Sequence, residues 1–219
     1  VYKSLILRHP FVHCFSGWDI NSLLDSREDS RANHPFLIWQ PFERGPKIWT
    51  YREFAVATRQ IASGLVNRGI RSSDKVLLHF ENCPETILCW YACARIGAIA
   101  LTTNARSAGP ELNYFARDSR AVAAITQPKF LGLISEYCRD LNWAVATDND
   151  SGEPSTDKYG LDTFDNLYGS ADDCPKIEPD PMRELSVQYT SGTTSRPKGV
   201  VWAHANALWG IRINALRAG

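Results

Sequence analysis

Lys75-Val76-Leu77-Leu78-His79-Phe80, then Pro84-Glu85 opening an apolar helical pattern that runs to Gly97, then Ala98-Ile99-Ala100-Leu101-Thr102-Thr103: this stretch decides the fold. An apolar run bounded by polar residues reads as a buried strand, and proline with an acid behind it suits the first turn of a helix. Strand, helix and strand with short joints leave the second strand parallel to the first. The unit repeats downstream. Pro110 and Glu111 start a helix, Ala121–Thr126 reads as a strand, Pro128 opens another helix, and Trp143–Thr147 reads as the next strand. Upstream, Thr50-Tyr51-Arg52-Glu53 has the form of a capping box. Phe54, Ala57, Ile61, Ala62, Leu65 and Val66 follow at helical spacing, and Gly69 supplies the stop. The expectation is a layered α/β domain with a mainly parallel sheet and flanking helices, and its ligands beyond the carboxyl ends of the strands.

Composition narrows the function. The 219 residues carry 24 basic and 24 acidic side chains, so the formal net charge is zero. A general nucleic-acid binder needs a cationic surplus, and none is expected here. No apolar run approaches the roughly 18–20 residues of a membrane-spanning helix. The six cysteines (14, 83, 89, 93, 138 and 174) include no Cys-x-x-Cys pair and several sit in apolar patterns. They read as reduced, buried thiols of a cytoplasmic protein. His9, His13 and Cys14 could approach one another, but no second cluster completes a metal site.

Charge is unevenly spread. Between Asp148 and Glu184 eleven acids face only Lys158, Lys176 and Arg183, with Gly, Pro and Ser punctuation. That reads as a solvated acidic connector with short structured pieces. After Glu184 no acid follows, whereas Arg196, Lys198, Arg212 and Arg217 do. An anion would bind where the sign changes.

At that point stands Thr190-Ser191-Gly192-Thr193-Thr194-Ser195-Arg196-Pro197-Lys198-Gly199, between the alternating strand pattern Leu185–Thr190 and the β-like run Val200-Val201-Trp202. Five hydroxyls surround one glycine. Gly192 lets the backbone approach a ligand, successive N–H groups can form an anion nest, and Lys198 adds a cation on a flexible stem. Pro197 stiffens the chain just before it. A polar surface hairpin is the bland alternative. A Walker loop fails, because Pro197 stands where its second glycine belongs and Gly199 where Ser or Thr is required. His204-Ala205-Asn206 then leads into a helical pattern of Leu208, Ile211 and Ala215, with His204 expected to support the loop or cap a helix.

The segment 190–199 resembles the phosphate-binding signature of adenylate-forming enzymes: acyl-CoA synthetases, aryl-CoA ligases, luciferases and peptide-synthetase adenylation domains. Ser195 stands where glycine is commonest. Its Ser-Arg-Pro-Lys form resembles the carnitine/crotonobetaine–CoA ligase branch. Arg95-Ile96-Gly97-Ala98 with Thr103-Asn104-Ala105-Arg106, and Ile48-Trp49-Thr50-Tyr51-Arg52-Glu53-Phe54, resemble upstream elements of the same family in the same order. The resemblance implies ATP-dependent activation of a carboxylic acid to an acyl-adenylate, then thioester formation with coenzyme A. It places Thr190, Ser191, Gly192, Thr193, Thr194, Ser195 and Lys198 around the triphosphate, with Lys198 catalytic and Mg²⁺ bridging phosphate oxygens. Transfer to a carrier-protein thiol or an amine, or a non-catalytic nucleotide-binding remnant, remain open alternatives.

The family's Tyr-Gly-x-Thr-Glu and Thr-Gly-Asp segments and its small C-terminal domain are not in these 219 residues. The expectation is therefore a partial N-terminal adenylation domain over 1–219, with the acidic connector at 148–184 and the loop at 190–199. Its partner is the remainder of the enzyme, and alone it is expected to be inactive.

Overall fold

The structure is a computed structural model, and it describes residues 13–41, 45–147, 149–150, 153–154, 163–190 and 196–217. From the amino end come α1 (Ile20–Arg31), β1 (Pro35–Trp39), β2 (Lys47–Thr50) and α2 (Tyr51–Asn67). Then β3 (Lys75–His79), α3 (Pro84–Arg95), β4 (Ile99–Thr103), α4 (Gly109–Ser119), β5 (Ala121–Thr126), α5 (Pro128–Tyr137) and β6 (Trp143–Ala146) alternate. Two-residue strands β7 (Asn149–Asp150) and β8 (Glu153–Pro154) precede β9 (Glu184–Thr190), β10 (Lys198–Ala203) and α6 (His204–Arg217).

Six strands form one sheet in the order β10-β9-β4-β3-β5-β6. All neighbours are parallel except β10, which runs antiparallel to β9 at the edge. The pleat sends alternate residues to opposite faces. Val76, Leu78, Ala98, Ala100, Ala123 and Ile125 meet Phe54, Ile61, Leu65, Leu88 and Cys93 from α2 and α3. Leu77, Ile99, Leu101, Ala124 and Val187 meet Leu112, Phe115 and Ile134 from α4 and α5. Burial on both faces explains why β3, β4 and β5 are mainly apolar instead of alternating. Each Val, Leu, Ile or Phe among them contributes about 1.5–3 kcal/mol on leaving water.

The caps are where the sequence puts them. The Thr50 hydroxyl accepts the Glu53 N–H at 3.2 Å, and the Glu53 carboxylate accepts the Thr50 N–H at 2.9 Å. Gly69 takes φ +87° just past α2, a conformation that a side chain would strain. Cys83, Cys89, Cys93 and Cys138 are buried thiols, as read from the sequence. Burial pushes Cys83 and Cys93 up to about 12, which keeps them protonated and inert. Cys174 is half-buried, and Cys14 is exposed, which departs from the sequence reading. No helix among the described residues is long and apolar enough to cross a membrane.

Other differences have physical reasons. The amino-terminal α1 and the β1–β2 hairpin have no counterpart in the sequence reading. Asp19 caps α1 by accepting the Ser22 N–H at 2.8 Å, and Arg95 anchors it with a bidentate pair to Asp25. Within the acidic stretch, Phe164 and Leu167 are buried in a 3-10 turn against α2, so this part joins the core. Ile211 of α6 is exposed, and the helix buries His204, Ala205 and Leu208 instead.

Candidate functional site

The parallel strands deliver their carboxyl ends to one edge, which is where an α/β sheet of this kind holds ligands. Hydroxyls and amides tie those ends together. Thr126 Oγ1 donates to the His79 carbonyl at 2.6 Å, and Gln127 Oε1 accepts the Glu81 N–H at 2.9 Å. His79 Nδ1 lies 2.9 Å from Thr103 Oγ1, whose own hydroxyl reaches the Leu78 carbonyl at 3.3 Å. With Thr103 donating to Leu78, the imidazole proton sits on Nδ1. Nε2 is buried with no hydrogen-bond partner, beside the Phe130 ring.

Burial holds His79 down at about 4. A free histidine titrates near 6.5, so the unfolded chain takes the proton first. The stability tied to the neutral ring is complete above about pH 6.5 and is lost as pH falls towards about 4, on the order of 3 kcal/mol over that window. Burial lowers His204 in the same direction. Urea midpoints should fall across this window in the native chain and fall less steeply in His79→Gln. Equal slopes would remove His79 from the account.

At the β9 end of this edge, Thr190 and Lys198 are register partners across the β9–β10 ladder. The chain between them leaves and returns at one place. Ser191, Gly192, Thr193, Thr194 and Ser195, read from the sequence as phosphate-binding, lie outside the described residues. Thr190, Arg196 and Lys198 are exposed. The strand stems are held from α4. Tyr189 donates its hydroxyl to Asp118 Oδ2 at 2.6 Å and stacks on Phe115 at 4.3 Å between centroids. Tyr114 donates its hydroxyl to the Pro197 carbonyl at 3.0 Å. Gly199 explains itself here. A Cβ on it would stand 3.2 Å from the Tyr189 ring and 3.3 Å from Val187, tight enough that the ring would have to shift by a few tenths of an ångström.

Two cavities open along the same edge. One of about 770 Å³ lies among Trp39, Phe80, Glu81, Asn104, Arg106 and Phe130. A smaller one of about 230 Å³ lies among Thr102, Asn104, Arg106, Glu111, Phe115 and Tyr189. Arg106 borders both. A third cavity, of about 530 Å³, lies at the carboxyl end of α3 near Asp25, Arg59 and Arg95, whose charges already pair among themselves and with Glu28.

His204 caps a helix, one of the two roles expected of it, although not its own. Its Nδ1 accepts the Ile20 N–H at the start of α1, at 3.3 Å, and the ring is fully buried. Tyr114, Asp118, Tyr189 and His79 carried no assigned role in the sequence reading. Their contacts cross 24 to 83 residues and have no local spacing to announce them.

The family described as AMP-binding enzyme matches residues 24–217, nearly the whole chain. The chain belongs to the AMP-binding enzyme family. The match takes in the β3–α3–β4 unit, the segment 190–199 and α6. Crotonobetaine/carnitine–CoA ligase of Salmonella enteritidis PT4 (strain P125109) is 31% identical over 194 residues, 87% of this chain and 37% of the relative. Among solved structures, the anthranilate CoA ligase AuaEII in complex with anthranoyl-AMP superposes with TM-score 0.72 at 25% identity, over 89% of this chain and 37% of that one. The N-terminal domain of FACL13 from Mycobacterium tuberculosis superposes with TM-score 0.69 at 25% identity, over 85% of this chain and 44% of that one. This AMP-binding chain therefore spans less than half the length of each of these relatives.

Proposed function

We propose that this AMP-binding chain grips the triphosphate of ATP for an enzyme that activates a carboxylic acid as its adenylate and passes the acyl group to coenzyme A. The observation that carries the reading is the pairing of Thr190 with Lys198 at the carboxyl edge of the sheet, which brings the two ends of the hydroxyl-rich segment to one point. The acid's oxygen attacks the α-phosphorus, the bond to the β,γ-pyrophosphate breaks, and AMP becomes the leaving group for thiolate attack. Negative charge builds on the departing pyrophosphate, so a preorganised ammonium and hydroxyls lower the barrier. In this reading Lys198 carries that charge, and Thr190, Ser191, Gly192, Thr193, Thr194 and Ser195 hold the tail.

Mg²⁺ would arrive with the nucleotide and would supply neutralisation of the phosphate charge. Among the described residues no group of three His, Cys, Asp or Glu side chains gathers for a metal, and the Lys198 ammonium can only donate.

The chain is further proposed to be the N-terminal part of the adenylation domain, with the connector at 148–184 and the loop at 190–199. It spans 37% of the curated relative. The open edge strand and α6 expose Val200, Val201, Trp202, Trp209, Ile213 and Leu216, apolar side chains that suit further protein. The test is ATP–pyrophosphate exchange across a panel of carboxylic acids, with the enzyme that carries this chain and with residues 1–219 alone. Exchange that requires an acid and the longer enzyme is expected, followed by acyl-CoA when coenzyme A is added. Acid-dependent exchange by 1–219 alone would overturn the partial-domain reading. Adenylate without acyl-CoA would point to a different acceptor thiol or an amine.

A further inference from the structure

We propose that α4 is the clamp that sets the position of Lys198, with Tyr114, Tyr189 and Asp118 as positioning residues; this rests on the phosphate-gripping reading above. Each stem of the segment has one side-chain hydrogen bond to this helix, Tyr189 to Asp118 upstream and Tyr114 to the Pro197 carbonyl downstream. Tyr114 and Asp118 are four residues apart and so share one face of α4. Tyr189 fills the space between them, edge-on to Tyr114 at 5.9 Å and stacked on Phe115.

The downstream bond acts directly on the lysine. The Pro197 carbonyl and the Lys198 N–H belong to one planar peptide unit. Fixing that oxygen fixes the plane and the base from which the Lys198 side chain leaves. The opposite side offers little restraint. β10 is the sheet edge, and Val200, Val201 and Trp202 are exposed. Gly199 suits the arrangement, because a Cβ there would press on the Tyr189 ring and oblige it to shift by a few tenths of an ångström.

The test is a double-mutant cycle in the enzyme that carries this chain. Tyr114→Phe keeps the ring and removes the hydroxyl. It is expected to lower the ATP-dependent exchange rate about tenfold, the scale of one hydrogen bond, with KM for the acid unchanged. In a Lys198→Ala background the same substitution should have almost no further effect, because the group it positions is gone. Equal losses in the two backgrounds, or no loss when Lys198 is present, overturn the clamp and leave the loop reading standing. No effect of Lys198→Ala by itself overturns both.

Asp118 supplies the second variant pair. Asp118→Ala releases the Tyr189 hydroxyl from α4 and should reduce exchange, whereas Asp118→Asn keeps an acceptor and should restore most of the loss. Asparagine and alanine behaving alike would count against the clamp, even if Tyr114→Phe folded poorly.

Discussion

Replacing Lys198 with alanine in the enzyme that carries this chain is expected to slow acid-dependent ATP–pyrophosphate exchange by about 100-fold to 1000-fold, the usual effect of deleting one preorganised donor at a developing charge. Most of the loss should fall on kcat. The charge that Lys198 would neutralise grows as pyrophosphate departs and is smaller in bound ATP, and interactions stronger in the transition state act on turnover. Lys198→Arg is expected to fall between the two. It keeps the charge, but a planar guanidinium cannot place its donors as an ammonium on a flexible stem does. An alanine variant that exchanges at the native rate would remove Lys198 from the chemistry.

The parts of this molecule legible in its sequence are those whose physics is contiguous. β3, α3 and β4 could be read because both faces of the strands are buried, which leaves unbroken apolar runs. The Thr50–Glu53 box and the stop at Gly69 could be read because a helix end is satisfied by residues a few positions away. Most of the hydroxyl-rich segment, residues 191–195, lies outside the described residues, and its role as an anion cradle stays with the proposal.

The rest depends on distant partners. α1 buries only Ile20, Asn21 and Leu24, too few for a helical stripe, and is held by Arg95 and His204 from far along the chain. β1 leaves Ile38 60% exposed beside half-buried Phe36 and Leu37, so no alternation marks it as a strand. The acidic stretch reads as solvated, and among its described acids Asp165, Asp172, Asp173, Glu178 and Glu184 do face water, yet Phe164 and Leu167 drop into the core between them. The supports of the candidate site come from α4, about 70–80 residues before the stems they hold, a link that only the folded chain supplies.

Gly64→Ala is expected to destabilise the chain by about 3 kcal/mol or more, at the upper end of overpacking effects. A Cβ on Gly64 would stand 1.6 Å from the Leu167 carbonyl oxygen and 2.5 Å from its carbon. The obstacle is backbone, so no rotamer relieves it. α2 and the turn Phe164–Leu167 have to part, and two buried side chains lose their seat on the core. The seam has little slack on either side. Gly169 donates its N–H to the Gln60 carbonyl at 2.9 Å, and a Cβ on Gly169 would stand 2.6 Å from Ser63 Oγ. Gly132→Ala is the matching control, since Gly132 is exposed in α5 with open space around its Cβ position. There alanine should stabilise by about 0.5–1 kcal/mol, because it lowers the entropy of the unfolded chain and favours helix. Urea midpoints of the two variants should therefore move in opposite directions from the native value. A native-like midpoint for Gly64→Ala would mean that the turn does not pack on α2, and the acidic stretch would revert to the solvated connector its composition suggests.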